Sequence, residues 1–351
     1  MLRKRLRFLC EVPVISMKEI AQSCGVSVAT VSKALNGKED ISKATRDRIL
    51  RKAEEMGYML NASARALKTN RTYSIGVLFI DSTSAGLAHE YFSEILESFK
   101  NTAEESGYDI TFISRTISGR PSTFLKHCEY RNFDGVAVIS ADFADPQIQE
   151  LITSDLPVVT IDYISGCCPA VVSDNARGLQ ELVHYAYNKG HRRIAFMHGE
   201  LTDVTKERMM GFYRACRELG IEPDPAWVTE SLYHDMELCA ERTAELIALD
   251  NRPTCIIFPD DYSYLGSMKV LQDAGLRVPE DISAMGYDGI RLARVIGLTT
   301  YRQDTETLGR AACRRLIEKI ENPEAMTEQT VVMGRLIEGN TVGTIKVVTG
   351  E

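Results

Sequence analysis

The chain has 351 residues, 44% hydrophobic and 26% charged, with nine cysteines and a formal net charge of -8 at pH 7. That length suits two or three domains of ordinary globular composition, and no apolar run reaches transmembrane length. The cysteines are scattered and never spaced C-x-x-C, which argues against a disulfide framework or a zinc motif and fits a reduced, cytoplasmic setting.

Charge divides the chain. Residues 1–72 hold 15 Lys and Arg against 7 Asp and Glu, a net +8, whereas the remainder holds 26 against 42, a net -16. A basic N-terminal module attached to an acidic body suggests a polyanionic partner for the module alone. The opening MLRKRLRFLCEVPVIS is basic, but Glu11 and Pro13 interrupt a hydrophobic stretch already too short for a signal peptide. Residues 1–16 are therefore read as an N-terminal extension, with Met17 as the natural start.

Residues 17–60 carry three short helical patterns. The first ends at Gly25, the second runs from Ser27 to before Gly37, and the third stops at Gly57. Ser27 and Ser42 occupy N-cap positions, and the glycines stand where left-handed C-caps belong. In the third pattern Ile49, Ala53 and Met56 form one apolar stripe.

The segment GVSVATVSKALNG is rich in small and β-branched residues between two glycines, an unusual choice for a helix. It meets the needs of a helix-turn-helix: Ala21 is the small residue at the crossing, Gly25 the turn, and Val26, Val31 and Leu35 the inner anchors. Val28, Ala29, Ser32, Lys33 and Asn36 then face outward. Small outward residues let the helix enter a major groove, where Val28 and Ala29 meet thymine methyls and Lys33 reaches guanine O6 and N7. Ser27, Thr30 and Asn36 are placed for phosphate oxygens. An ordinary helical hairpin with a polar surface is the competing reading.

Residues 61–72 form a linker, NASARALKTNRT, with a possible N-cap at Asn61. A helix of about eight residues is too short to be stable alone in water, so it is expected to order only on docking. From Tyr73 onward, β-rich runs (SIGVLFI, YDITFIS, GVAVIS, PVVTID, RIAFMHG, CIIFPD, ISAMGYD) alternate with amphipathic helical segments. This implies parallel, doubly wound α/β sheets, and nearly 280 residues are long enough for two lobes.

MKEIAQSCGVSVATVSKALNG, ISKATRDRILRKAEEMGY and NASARALKTNRT together resemble the DNA-binding headpiece and hinge of the lactose-repressor (LacI/GalR) family of bacterial transcription regulators. The resemblance continues through SIGVLFID, FDGVAVIS, LPVVTID, VVSDNARG, GHRRIAF, ERMMGFYRAC, IIFPDD, GLRVPEDIS, GYDG and LTTYRQD, covering nearly everything after Met17. It implies a homodimer on a pseudo-palindromic double-stranded operator, with paired hinge helices inserting Leu67 into the central minor-groove step. Apolar wedges are an established minor-groove device, although Leu67 could instead pack on its own domain.

The same resemblance implies a periplasmic-binding-protein-like core at 73–351, with one lobe near 73–172 and 303–331 and the other near 173–302 and 332–351. A small effector is expected between them. Motif matching places Tyr91, Phe92, Asp174, Arg208, Tyr233, Asp260 and Asp288 around it, with His89 expected to enter from the loop DSTSAGLAHEYF and Asp261 to cap the helix after FPDD. Aromatic faces beside carboxylates and an arginine suit a sugar or sugar derivative. Two departures stand out: a long loop at DSTSAGLAHEYF, and a C-terminal RLIEGNTVG that lacks the family's usual Arg-Glu-Ser/Thr, with no leucine heptads to tie a tetramer.

Three classes of function are therefore compared. A DNA-binding regulator, most simply a repressor of carbohydrate-utilisation genes, explains the headpiece, the charge division and the linker. A transport receptor explains the body alone. An enzyme would need a reacting constellation, and no P-loop, G-x-G-x-x-G after the first strand, G-x-S-x-G or H-E-x-x-H is found. No cofactor, metal or membrane partner is expected.

Overall fold

The computed structural model describes residues 15–35, 40–58, 66, 71–80 and 86–345. The chain divides into two compact units, Met1–Thr72 and Tyr73–Glu351. In the first, three helices are fixed by local signals. Helix α1 (Met17–Cys24) begins with a capping box in which the Ser16 N–H and hydroxyl both donate to Glu19 Oε2, at 2.7 and 2.8 Å. It ends at Gly25, whose φ of 62° is the left-handed conformation that a residue without Cβ adopts at no steric cost. Helix α2 (Val28–Leu35) follows after two residues, and α3 (Lys43–Glu55) starts where Ser42 Oγ accepts from the Thr45 N–H at 3.2 Å.

The core of this unit is small: Ile20, Val31 and Ile49 are fully buried, with Ala21, Ala34 and Ala53 between the helices. Alanines there let the backbones approach. Ile15 packs against this core and Ser16 caps α1, so the folded unit extends into the stretch read from sequence as an extension. Met56 and Leu35, expected on the inner faces, are half-buried at its margin.

The second unit contains two six-stranded sheets, each with helices on both faces. The N-lobe strands are β1 (Ser74–Phe79), β2 (Asp109–Phe112), β5 (Gly135–Ser140), β6 (Val158–Ile161), β7 (Ala170–Ser173) and β13 (Gln329–Val332), in the order β13-β7-β6-β5-β1-β2 and all parallel. A hairpin of β3 (Thr116–Ile117) and β4 (Arg120–Pro121) stands apart from the sheet. Helices α4 (Glu90–Glu105) and α12 (Thr305–Glu321) cover one face, and α5 (Phe124–Arg131) and α6 (Pro146–Ile152) the other. Period-two alternation decides the sides: Ala137 and Ile139 of β5 pack toward α4 and α12, whereas Val136 and Val138 pack toward α5 and α6.

The C-lobe strands are β8 (Ile194–His198), β9 (Val228–Glu230), β10 (Cys255–Ile257), β11 (Ser283–Asp288), β12 (Thr299–Arg302) and β14 (Arg335–Ile337). Their order is β14-β12-β11-β10-β8-β9, with only the edge strand β14 antiparallel. Helices α7 (Asn175–Asn188) and α8 (Asp203–Glu218) lie on one face, α9 (Met236–Ile247) and α10 (Asp261–Asp273) on the other, and the short α11 (Arg291–Val295) precedes β12. Where α7 crosses α8, a Cβ on Gly211 would collide with the Ala176 carbonyl oxygen, so glycine is what allows that approach. The chain passes between the lobes after β7, after β12 and after β13. Strand C-terminal ends of both sheets therefore face a common cleft, where open α/β sheets hold ligands.

Candidate functional site

In the first unit, the outward side of α2 carries the small residues expected of it. Val28 is 45% exposed, Ala29 and Lys33 are also exposed, and Ser32 and Thr30 are half-buried. Ser27 serves its own helix: its Oγ accepts from the Thr30 N–H at 3.1 Å and shares a hydrogen bond with the Thr30 hydroxyl at 2.8 Å. Lys33 pairs with Asp40, both half-exposed, so the ammonium is held by a partner that water screens strongly. Asn36 and Leu67 lie outside the described residues.

In the second unit, the cleft is built around Arg208. It projects from α8, is 4% exposed, and its guanidinium is fixed from three sides. Nε donates to Asn175 Oδ1 at 2.9 Å and Nη1 to the Pro259 carbonyl at 2.8 Å, while Nη2 stands 4.0 Å from Asp288 Oδ1. Its central carbon lies 3.7 Å from the Tyr287 ring centroid and 5.3 Å from that of Tyr233. Burial alone would lower its pKa, but the surrounding phenols and Asp288 raise it, so the group stays charged.

Asp288 ends β11 with φ 97°, a strained geometry for a residue other than glycine, and its Oδ1 accepts from Gln303 Nε2 at 2.7 Å. Burial raises its pKa against the pull of Arg208. Tyr233 is anchored by a 2.8 Å hydrogen bond between its hydroxyl and that of Thr205, and by its N–H to Glu200 Oε2 at 3.1 Å.

Across the cleft, the N-lobe presents His89, Tyr91 and Phe92 at the start of α4. The Tyr91 hydroxyl donates to Asp162 Oδ2 at 2.8 Å, and the other Asp162 oxygen accepts from the Ser173 N–H at 2.7 Å. Burial raises the Asp162 carboxyl despite these donors. Phe92 packs edge-on against Phe79 and Tyr91 and lies 5.4 Å from the His89 ring. His89 reaches the opposite lobe: its Nε2 is 2.8 Å from Nδ1 of His234, and its ring is 5.0 Å from that of Tyr262. Beside this contact the Arg291 N–H donates to Glu90 Oε1 at 2.6 Å, and the Arg291 guanidinium lies 3.7 Å from both Glu90 and Glu94.

Six of the eight residues expected around an effector thus line this cleft: His89, Tyr91, Phe92, Arg208, Tyr233 and Asp288. Two are spent elsewhere. Asp174 caps α7 by accepting from the Arg177 N–H at 3.2 Å, and its neighbour Asn175 is the residue that reaches Arg208. Asp260 is completely buried behind His234: Oδ1 accepts from the Ser263 N–H, and Oδ2 from the Ser263 hydroxyl and the His234 N–H. Burial would raise its pKa, but His234 and those donors outweigh burial and hold it at about 2.

The capping role expected of Asp261 therefore belongs to Asp260. Asp261 instead binds the Ile290 N–H at 2.9 Å and the Thr300 hydroxyl at 2.7 Å, joining β11 to β12. Asp162, Asn175, His234, Tyr262 and Gln303 also take part, without a motif that marks them in the sequence. Asp162 has only a positional signal, since it ends the quoted strand PVVTID in the same way that Asp288 ends ISAMGYD. The arrangement is a cleft of rings, carboxylates and one buried guanidinium.

Comparison with known proteins agrees with both units. Residues 16–61 match the family of bacterial regulatory proteins of the lacI type, and residues 183–342 match the periplasmic binding protein-like domain. The HTH-type transcriptional repressor PurR of Mannheimia succiniciproducens is 30% identical over 333 residues, spanning 92% of this chain and 97% of that protein. Among solved structures, the lac repressor dimer bound to operator and the anti-inducer ONPF aligns with a TM-score of 0.76 at 23% identity, over 94% of this chain and 100% of that one. The transcriptional regulator CelR in complex with cellobiose aligns with a TM-score of 0.68 at 24% identity, over 93% and 99%. With a regulator's three-helix unit followed by a two-lobed binding core, and a relative at this identity along nearly its whole length, the chain belongs to the LacI family of bacterial regulatory proteins.

Proposed function

We propose that the protein is a cytoplasmic, homodimeric repressor of carbohydrate-utilisation genes, released from or retained on its operator by a sugar-like effector held between the two lobes. The observation that carries this reading is the cleft itself, where His89, Tyr91 and Phe92 of one lobe face Arg208, Tyr233 and Asp288 of the other. Aromatic rings cover the apolar face of a pyranose or furanose, and buried charged groups take its hydroxyls. Asp162 and Asp288 outnumber Arg208 among the charged groups inside the cleft, so a neutral polyol suits it better than a sugar phosphate, whose charge would face those carboxylates. The cellobiose complex of CelR, a protein of the same fold, supports a saccharide.

For DNA, Val28, Ala29 and Lys33 are assigned to base edges and Ser27, Thr30 and Asn36 to the backbone, with Ser32 on the same DNA-facing side and Leu67 as the minor-groove wedge. A thermal-shift screen of mono- and disaccharides, sugar phosphates and nucleosides tests the effector class, because a ligand that binds only the folded state raises the melting temperature by mass action. A neutral sugar is expected to shift the melt and to change retention of operator DNA in a mobility assay. A response confined to nucleosides or sugar phosphates would overturn the assignment.

A further inference from the structure

We propose that His89, His234 and Asp288 form a binding site for a divalent transition-metal ion that ties the two lobes together. One nitrogen of each histidine and one oxygen of Asp288 all lie within 4.8 Å of one another. His89 comes from the N-lobe, at the start of α4, and His234 and Asp288 come from the C-lobe, after β9 and at the end of β11. An ion bound to all three bridges the cleft.

The two histidines already stand near bridging distance. Imidazole nitrogens lie about 2.0–2.1 Å from zinc, so two of them on a tetrahedral ion are roughly 3.3 Å apart. The His89 Nε2 to His234 Nδ1 separation is 2.8 Å. A widening of about half an ångström admits the ion, within the reach of side-chain rotation. Both C-lobe ligands are already oriented by partners, as metal ligands usually are. Gln303 donates to Asp288 Oδ1 at 2.7 Å, and the His234 backbone, with φ 63°, is held by its N–H to Asp260 Oδ2 at 2.8 Å. Asp260 Oδ2 also lies 3.3 Å from His234 Nδ1, adding negative charge beside the ligand.

The charge balance favours a cation. Asp260 and Asp288 are buried and Asp162 is half-buried around one buried guanidinium, so carboxylates outnumber cations here and a bound cation would offset them. Arg208, with Nη2 4.0 Å from Asp288 Oδ1, is the charge that opposes the ion. Two imidazoles and one carboxylate select zinc, nickel, cobalt or copper over magnesium or calcium. Three protein ligands leave a coordination position for water or for an effector hydroxyl. This last point rests on the cleft being the effector site, whereas metal binding itself does not.

The experiment uses the tag-free, full-length protein, stripped with chelator and titrated with Co²⁺ and Zn²⁺ without any sugar. One Co²⁺ per chain is expected, with visible d–d absorption of a low-coordinate site, no thiolate charge-transfer band, and displacement by Zn²⁺. His89→Gln and His234→Ala should each weaken binding at least tenfold, and Asp288→Asn should do the same, while the surface control His184→Ala leaves it unchanged. Circular dichroism establishes which variants fold, and His89→Gln alone suffices if His234→Ala does not. No stoichiometric Co²⁺ site, a thiolate band in place of nitrogen ligation, or undiminished binding by folded His89→Gln would overturn the proposal. A negative metal titration beside a positive sugar screen would leave the effector reading standing, and the converse would leave the metal site standing.

Discussion

Arg208 and Asn175 are joined by a 2.9 Å hydrogen bond from Nε to Oδ1, with both residues buried and 33 positions apart on helices that cross at a glycine. This bond ties α8 to the start of α7. It aims the guanidinium along the Tyr287 face toward the cleft.

Replacing Arg208 should therefore affect folding as well as ligand binding. Arg208→Ala leaves the Pro259 carbonyl without its buried donor and Asn175 Oδ1 with only the longer bond from the Tyr287 hydroxyl, at 3.4 Å, a loss of about 2 kcal/mol. Arg208→Lys keeps the charge but not the fork that serves both acceptors. Urea unfolding should show the alanine variant less stable than the lysine one. Calorimetry should show both losing affinity for the sugar returned by the screen, while operator retention without sugar persists. Unchanged sugar affinity in a folded Arg208→Lys variant would contradict the placement.

Asp260 supplies a pH signature. Its folded-state pKa of about 2 lies below the ordinary 3.8, so the folded state favours the ionised form. The corresponding stability, about 2 kcal/mol, is fully present above pH 4 and is lost as pH falls toward 2. The stability gap between wild type and Asp260→Asn, measured by urea unfolding, should hold steady from pH 7 to about 4 and narrow below that. A gap that widens with acid would refute the ion pairing with His234. Taking the difference between the two proteins removes the contribution of Asp162, whose raised pKa acts in the opposite direction, whereas Asp261 and Asp288, raised in part by the Asp260 charge, move back toward the ordinary range in the variant.

At the α7–α8 crossing two effects compete. Gly211→Ala gains about 1 kcal/mol of helix propensity, but its methyl group meets the Ala176 carbonyl oxygen, which is backbone and cannot rotate away. Overpacking costs about 1–3 kcal/mol, so net destabilisation is expected in chemical unfolding. A stabilised variant would mean that the helices separate more readily than their packing implies.

For the DNA surface, Lys33→Ala should cost roughly 1–3 kcal/mol and relax preference at one base pair per half-site. Thr30→Ala should weaken all sites about equally, since its hydroxyl bonds to Ser27 and its assigned target is phosphate. The Lys33 ion pair with Asp40 is exposed enough that releasing it costs well under about 1 kcal/mol. A binding-site selection in which Lys33→Ala returns the wild-type motif would rule out base contact by that residue.

Much of this architecture is written locally. Caps at Ser42 and Thr202 and the αL glycine after α1 act within one or two turns, so they are readable from short windows. The same holds for β5, whose apolar run marks a strand buried on both faces, and for the small outward face of α2. Tyr91, Phe92 and Asp288 were legible through the family resemblance, and Asp288 also ends β11, on the side to which a doubly wound topology sends its strand ends.

What only the tertiary structure decided is the use to which identical side chains are put. Asp174, Asp260, Asp261 and Asp288 all follow or end strands, and composition makes them equivalent. Asp174 and Asp260 became helix caps, Asp261 a link between strands and Asp288 a cleft carboxylate, according to which N–H or hydroxyl packing delivered to each. His234 carries no motif of its own. Only the packing of the two lobes brings His89, 145 residues earlier, to 2.8 Å from its ring. Hydrogen bonds and metal coordination depend on distances of a few ångströms between specific atoms, and between chain-distant residues those distances exist only once both lobes are packed.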